Sequence, residues 1–221
     1  MALKLRKSLE IGIVIDSSGS LQDYGEELKK SIRLMIENIK KEPYFQGADV
    51  YLTLMSFAES KNPIIDAQLI QNIINPELNF KFEGRTNPGP AIKAVVGSTY
   101  ERYRNRKDKG EEPWHPLLFF FTDGKPYPEE LYLEDYKRAA EAVKALEKEK
   151  KLFCVTCAFG NADRQKLELM TNYPERVLSV GSKDIDKLSN FFKEIIPRTA
   201  VTASQTGDLD QLKQMFVAFN N

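Results

Sequence analysis

The chain contains 221 residues, of which 42% are hydrophobic, so it is long enough to bury the core of one α/β domain. Lysine plus arginine and aspartate plus glutamate both number 32, which excludes a global field that attracts nucleic acid or an acidic membrane surface. No run of residues reaches the ~20 apolar positions of a membrane-spanning helix, and the basic N-terminus lacks the apolar stretch of a signal peptide. We therefore expect a cytoplasmic protein that binds neither membranes nor nucleic acid.

Two local features suggest a phosphate-binding arm and a redox or metal site, but the neighbouring residues argue against both. The basic stretch over residues 102–109 is followed at once by acidic residues, which favours a solvated loop over a phosphate-binding arm. Cys154 and Cys157 have C-x-x-C spacing but lie in an apolar stretch typical of a buried strand, where residues three apart point to opposite faces. Because His115 is the only histidine, a zinc site of cysteine and histidine cannot be completed, and two free buried thiols are expected.

Strand and helix patterns alternate along the whole chain, without an internal repeat. Strands are indicated by short runs rich in Val, Ile, Tyr and Phe, and helices by apolar residues three and four apart. In chain order, we expect a strand over residues 9–15, a helix over 22–41, a strand over 50–57, a short helix over 66–74, a weak edge strand over 77–82, a helix from Pro90 to Tyr103, a strand over 116–121, a helix around 133–143, a strand over 152–159, a helix over 163–171, a strand over 176–180 and a helix from Ile185 to Pro197.

The order of these elements predicts the fold class. Apolar strands without alternation indicate a sheet that is buried on both faces. Their alternation with helices predicts an α/β fold with a doubly wound, mostly parallel central sheet flanked by helices. Since such sheets bind ligands beyond the carboxyl ends of their strands, we expect the chemistry to follow Ile15 and Phe121.

Three polar motifs stand at or near these positions. Asp16-Ser17-Ser18-Gly19-Ser20 follows the first strand, Gly84-Arg85-Thr86-Asn87-Pro88 precedes the helix at Pro90, and Thr122-Asp123-Gly124 follows the strand that ends at Phe121. Each motif alone has an ordinary explanation as a strand end, a helix cap or a turn. Together they supply hard oxygen ligands at one end of the predicted sheet: Asp16, Ser18, Ser20, Thr86 and Asp123.

These motifs carry a resemblance to a known family. IDSSGS, GRT and FTDG resemble the three parts of the metal-ion-dependent adhesion site (MIDAS) of von Willebrand factor A domains, and all five ligand positions of that site are present. The flanking sequences GRTNPGPAIKAV and WHPLLFFFTDGKP are similar to the bacterial TerY-type branch associated with tellurium resistance. Arg85 stands where such domains often have glycine, a substitution that either crowds the loop or adds a contact.

The resemblance implies a divalent metal site and a protein partner. It assigns Ser18, Ser20 and Thr86 as hydroxyl ligands of Mg²⁺, with Mn²⁺ as an alternative, and it implies that Asp16 and Asp123 often act through water. Mg²⁺ takes about six hard oxygens, so a mostly neutral inner shell leaves a position for an Asp or Glu carboxylate of a partner. The expected function is an intracellular, metal-dependent protein–protein interaction module. The TerY-type branch further implies a stress-response or signalling assembly with a co-encoded kinase or phosphatase.

The alternative function is a Mg²⁺-dependent phosphoryl-transfer enzyme. The chain has neither G-x-x-x-x-G-K-[ST] nor G-x-G-x-x-G. Two residues after Asp16 the chain has Ser18 rather than a second aspartate that acts as a general acid, and His115 is expected on a loop before a strand. These features favour a binding module that is not an enzyme.

The C-terminal residues are expected to form an addition to the family core. We expect the domain over residues 1–198 and an extension over 199–221, because Pro197 lacks the amide that continues a helix. Residues 200–207 read as a linker, and Asp208 as the cap of a short amphipathic helix. Its apolar stripe either folds back onto the domain, which the solubility of a free chain favours, or docks into a partner: Leu209, Leu212, Phe216 and Phe219.

Overall fold

The computed structural model describes residues 7–160, 162–181 and 184–220. Residues 1–6, which begin the first predicted domain, and residue 221, which ends the expected extension, lie outside the described residues. The elements are β1 (Ser8–Asp16), α1 (Gly25–Lys41), β2 (Asp49–Phe57), β3 (Lys61–Leu69), α2 (Gly89–Asp108), β4 (Leu117–Thr122), α3 (Glu129–Lys148), β5 (Phe153–Phe159), α4 (Arg164–Leu167), β6 (Val177–Val180), α5 (Ile185–Asn190), α6 (Ile196–Thr206) and α7 (Lys213–Asn220).

The strands form one sheet in the order β3-β2-β1-β4-β5-β6. Neighbouring strands are parallel except β2 and β3, which are antiparallel. In the centre, Ile13 pairs with Leu54 on one side and with Phe119 on the other. The predicted α/β fold with a mostly parallel sheet flanked by helices is confirmed.

Each face of the sheet buries its own apolar core. Helices α1, α5, α6 and α7 cover one face, and α2, α3 and α4 cover the other. Cys157 belongs to the first core and Cys154 to the second, which confirms that the two free thiols diverge. Burial raises the pKa of both thiols, so neither is a ready nucleophile or metal ligand.

A glycine in β1 sets the distance between the sheet and α2. A Cβ on Gly12 would lie 2.5 Å from Cγ1 of Val95, closer than two carbons can approach. The absence of a side chain at Gly12 therefore lets α2 pack directly on the central strand. This contact fixes the position of α2 and of the loop that leads into it.

The sheet edge differs from the expectation. The helix predicted over residues 66–74 is wrong, because β3 runs antiparallel to β2 as far as Leu69 and is followed by a single 3-10 turn, Ile70–Asn72. The strand predicted over 77–82 is also wrong, because β3 already occupies that edge and no described residue of 77–82 is in a strand. Only Ile65 of β3 is fully buried, so the strand has little of the apolar signal that sequence reading requires.

The basic stretch over residues 102–109 is the end of α2 rather than the expected solvated loop. Arg102 donates from Nε to Oε2 of the buried Glu10 at 2.9 Å, and Arg106 lies 3.6 Å from the same carboxylate. Arginine and lysine are good helix formers and are favourable near a helix C-terminus, which explains why the helix continues through this stretch.

The helix predicted to end at Pro197 continues to Thr206. A π-helical turn, Phe191–Ile195, joins α5 to α6, and Pro197 stands at the start of α6. In an α-helix, the Lys193 carbonyl would accept a hydrogen bond from the amide of residue 197, which proline lacks. It accepts one instead from Nδ2 of Asn38 at 2.9 Å. Residues 200–206 are therefore helical rather than a linker, and the expected boundary between residues 198 and 199 lies inside α6.

The C-terminal stripe folds back onto the domain. All four stripe residues are buried in the core that α1 covers: Leu209, Leu212, Phe216 and Phe219. Asn220 also accepts a hydrogen bond from the Ser179 amide at 2.9 Å and donates to the Val177 carbonyl at 3.1 Å. These side-chain bonds cover part of the free edge of β6. No helix in the described part of the chain is long and apolar enough to cross a membrane.

The first prediction tests this packing. Phe216 is fully buried, so Phe216→Ala should lower the free energy of unfolding by about 3–5 kcal/mol. Val217, the next residue, is 45% exposed, and Val217→Ala should change the stability by less than about 0.5 kcal/mol. Urea denaturation monitored by circular dichroism measures both values. Equal stabilities of the two variants would show that α7 does not pack on the domain in solution.

Candidate metal centre

The first and third sequence motifs meet at the carboxyl ends of β1 and β4. These strands are parallel neighbours with Ile15 opposite Phe121, so Asp16 and Thr122 follow side by side. The Thr122 hydroxyl donates to Oδ2 of Asp16 at 2.5 Å. Gly124 in turn donates its amide to the Thr122 oxygen at 3.1 Å, so one chain of hydrogen bonds joins the two loops.

The loop after β1 turns back over its own aspartate. The other oxygen of the fully buried Asp16, Oδ1, accepts the Ser18 amide at 2.8 Å. This bond fixes the turn and brings the Ser18 and Ser20 hydroxyl oxygens to 3.0 Å from each other. Ser17 points away from this pair, because its hydroxyl donates to the Phe57 carbonyl of β2 at 3.0 Å.

The middle motif is attached to the loop that follows β4. Thr86 and Tyr127 exchange two backbone hydrogen bonds of 3.2 and 2.9 Å, which form an isolated antiparallel bridge. The Thr86 hydroxyl lies 4.0 Å from the place that a Cβ on Gly124 would occupy. The Asn87 amide binds the Ala58 carbonyl at 2.8 Å and so ties the same loop to the end of β2. The structure thus brings all three motifs to one end of the sheet.

The two aspartates of the site have unfavourable surroundings for negative charge. Burial raises the pKa of Asp16 to about 6, against the opposing effect of the Thr122 and Ser18 hydrogen bonds. Burial also raises the pKa of Asp123, although the Ser20 hydroxyl donates to its carboxylate and opposes that shift. Within the described ranges, no lysine or arginine forms an ion pair with either aspartate. A bound cation would supply the missing positive charge.

The donor set fits a hard divalent cation. Neighbouring oxygens of an octahedral Mg²⁺ shell, at about 2.1 Å from the ion, lie about 3.0 Å apart. The Ser18 and Ser20 hydroxyls, which share a hydrogen bond of 3.0 Å here, are close enough to occupy neighbouring positions of such a shell. No group of three or more His, Cys, Asp or Glu side chains suited to a metal occurs in the described part of the chain. Three of the five proposed ligands are hydroxyl residues, Ser18, Ser20 and Thr86. Such oxygens suit Mg²⁺ or Mn²⁺ better than soft metals.

Sequence reading named Thr122 as part of a motif without giving it a role in the site, and it missed Tyr127. Thr122 holds Asp16, and the signal for it was a polar residue at the end of an otherwise apolar strand. Tyr127 holds Thr86 through its backbone, for which no sequence signal exists. Arg85 is exposed and does not crowd the loop, whereas His115 precedes β4 and lies the length of that strand from Asp123, about 20 Å.

Comparison with known proteins gives the following matches. The family model of the von Willebrand factor type A domain matches residues 10–194. No curated protein matches the chain. Among solved structures, proximal thread matrix protein 1 from the mussel byssus superposes with a TM-score of 0.59 at 16% identity, over 88% of this chain and 49% of that protein. A structure of the same mussel protein with a zinc-occupied MIDAS motif has a TM-score of 0.58 at 15% identity, over 88% and 48% of the two chains.

A bacterial adhesin gives a similar result. The pilus adhesin SpaC from Lactobacillus rhamnosus GG superposes with a TM-score of 0.62 at 13% identity, over 88% of this chain and 31% of that chain. The chain therefore spans from about a third to about half of the length of these solved proteins. Identities this low show a shared fold, and the mussel and bacterial proteins do not by themselves define a partner.

The second prediction concerns the pH dependence of stability without metal. The pKa of Asp16 is about 6 in the folded protein against 3.8 ordinarily, so the folded state retains a proton that the unfolded chain has lost. The protonated Asp16 therefore stabilises the folded state fully below pH 3.8, and this stabilisation is lost as the pH rises through about 6. Asp16→Asn removes this titration. In EDTA, the melting temperature of the variant minus that of the wild type should therefore increase with pH across this window.

The difference between the two melting temperatures reports the titration of Asp16 alone, because all other groups titrate in both proteins. Differential scanning fluorimetry in buffers from below pH 3.8 to above pH 6 gives the melting temperature of each protein as a function of pH. Curves that stay parallel would show that Asp16 has no raised pKa in the folded protein.

Proposed function

Because the chain belongs to the von Willebrand factor type A domain family, we propose that it is a metal-dependent protein–protein interaction module whose Mg²⁺ site binds an acidic residue of a partner. Domains of this family are typically interaction modules with a MIDAS that holds a divalent metal. In this proposal Ser18, Ser20 and Thr86 are direct ligands, and Asp16 and Asp123 bind through water. Mn²⁺ is an alternative ion for the same oxygens.

The observation that carries the proposal is the pair of hydroxyls held 3.0 Å apart beside two aspartates that have no cationic partner among the described residues. Hydroxyl ligands are neutral, so a bound divalent ion would keep much of its charge and attract a carboxylate from outside the domain. Ser20 is exposed and Asp123 is half-buried, so the site faces solvent where a partner can approach. The chain's own part is to hold these oxygens in place through the Thr122 and Ser18 hydrogen bonds to Asp16.

The arrangement gives less support to phosphoryl transfer. Asp16, the candidate nucleophile of that alternative, is fully buried, and both its oxygens accept hydrogen bonds. An attacking carboxylate needs an exposed oxygen aimed at the substrate. His115 stands at the opposite end of β4, so it cannot act as a base there. We therefore propose that the protein is not an enzyme.

The partner is proposed from the TerY-like flanking sequences. We propose a cytoplasmic stress-response or signalling assembly in which a co-encoded kinase or phosphatase presents the Asp or Glu carboxylate. Two exposed cations, Arg85 and Lys125, lie on the loops that carry Thr86 and Asp123, and they favour an acidic partner surface. Because they are few and local, they do not form the extended basic patch that nucleic acid or an acidic membrane requires.

The third prediction tests the metal ligands with two serines of one loop. Ser18→Ala removes a proposed ligand and should weaken Mg²⁺ and Mn²⁺ binding at least ~10-fold in isothermal titration calorimetry. Ser17→Ala is the matched control, because the Ser17 hydroxyl binds the Phe57 carbonyl and not the site. Its metal affinity should equal that of the wild type. Equal affinities in all three proteins, each with an unchanged circular dichroism spectrum, would remove the site assignment.

A further inference from the structure

We infer that Glu129, at the start of α3, keeps the metal site open to a divalent ion by holding the Lys125 ammonium away from Asp123. Glu129 is then a positioning residue, since it acts on the site through Lys125 and is not itself a ligand. The inference rests on the proposed function, because it concerns competition between a lysine of this chain and the metal for the same aspartate.

The competitor is a lysine on one of the loops that form the site. Lys125 follows Asp123 by two residues, so their Cα atoms lie at most about 7 Å apart. The two side chains can meet across that distance, and a lysine paired with Asp123 would compensate the charge of this half-buried carboxylate. Such an internal ion pair would have to break before a divalent ion could bind.

The structure shows Lys125 paired with Glu129 instead. The Lys125 ammonium lies 3.7 Å from Oε1 of Glu129, whereas Asp123 forms no ion pair with a described lysine or arginine. Oε1 of Glu129 is shielded from solvent and accepts no hydrogen bond from the described residues, so nearby ammonium groups are what compensates its charge. The attraction is therefore screened less than in a fully exposed ion pair.

Glu129 is held in place independently of Lys125. The same oxygen, Oε1, lies 3.2 Å from the Lys166 ammonium of α4. Lys166 is itself anchored by its backbone, because its amide binds the Asp163 carboxylate at 3.3 Å and its carbonyl accepts the Tyr136 hydroxyl at 2.7 Å. Glu129 also stands in the first turn of α3, where the helix dipole favours a carboxylate. Lys125 therefore pairs with a group that is already ordered, which lowers the entropy cost of the pair.

Two neighbouring charges provide matched controls for this pair. Arg85 precedes the proposed ligand Thr86, is exposed, and forms no ion pair within the described ranges. Its charge acts on a bound metal whether or not Glu129 is present. Glu130 is adjacent to Glu129, is exposed, and likewise has no ion-pair partner among the described residues. Replacing Glu130 therefore removes the same negative charge from the same helix turn without releasing Lys125.

The first experiment measures Mg²⁺ affinity by isothermal titration calorimetry in a double-mutant cycle. Glu129→Gln should weaken Mg²⁺ binding about 3-fold, the size expected from releasing one partly exposed lysine. Lys125→Met should not weaken it, and adding Glu129→Gln to Lys125→Met should have no further effect. Glu130→Gln should bind Mg²⁺ like the wild type, and Glu129→Gln should cause the same loss in an Arg85→Met background as in the wild type. Circular dichroism in EDTA checks that each variant is folded.

A second experiment locates the lysine directly. Crystals of Glu129→Gln grown in EDTA should show the Lys125 ammonium within about 4 Å of the Asp123 carboxylate, the distance of an ion pair. A purely structural role of Glu129 would not move Lys125 toward Asp123.

The outcomes separate the inference from the function it rests on. A folded wild-type protein that binds no Mg²⁺ would overturn the proposed function. If the wild type binds Mg²⁺, three results would overturn only the inference: an unchanged affinity of Glu129→Gln, a loss that persists in the Lys125→Met background or is equalled by Glu130→Gln, or a crystal in which Lys125 stays beside residue 129. A loss that requires Lys125, with the lysine found at Asp123, supports it.

Discussion

The candidate site depends on one hydrogen-bonded carboxylate, that of Asp16 at the end of the central strand. Its two oxygens receive the Thr122 hydroxyl of the neighbouring strand and the Ser18 amide of its own loop. The first bond joins the ends of two parallel strands, and the second bends the chain so that the Ser18 and Ser20 hydroxyls meet. A buried carboxylate is destabilising unless it is paired, so a cation bound at this end of the sheet would stabilise the ionised form of Asp16.

The rest of the fold holds that end of the sheet in place. The parallel register of β1 with β2 and β4 brings the three loops together, and the missing side chain of Gly12 lets α2 pack closely on β1. The loop before α2 therefore reaches the loop after β4, where Thr86 and Tyr127 pair. At the far edge, α7 packs on the domain and covers part of β6 through Asn220. The position of the candidate metal centre is thus a consequence of strand order, and its surroundings are a consequence of the loops.

Sequence reasoning succeeded where local pattern and tertiary structure agree. The apolar strands ending at Ile15 and Phe121 predicted both the sheet and the place of the polar loops. It failed for β3, an edge strand with one fully buried apolar residue, and at Pro197, where the Asn38 side chain satisfies the carbonyl left without an amide. It also could not supply Tyr127, because a backbone pair between residues 86 and 127 leaves no trace in residue type. These three missed features depend on long-range contacts, whereas the helical end of α2 over residues 102–108 follows from local propensity.

The most direct test of the account is the position of a bound metal in a crystal. Crystals grown with manganese chloride should show one anomalous difference peak bounded by the Ser18, Ser20 and Thr86 hydroxyls, with waters between the ion and the two aspartates. That result would place the cation where the structure leaves negative charge without a cationic partner among the described residues. A peak elsewhere, or no peak at this site in a crystal that contains Mn²⁺, would contradict the account.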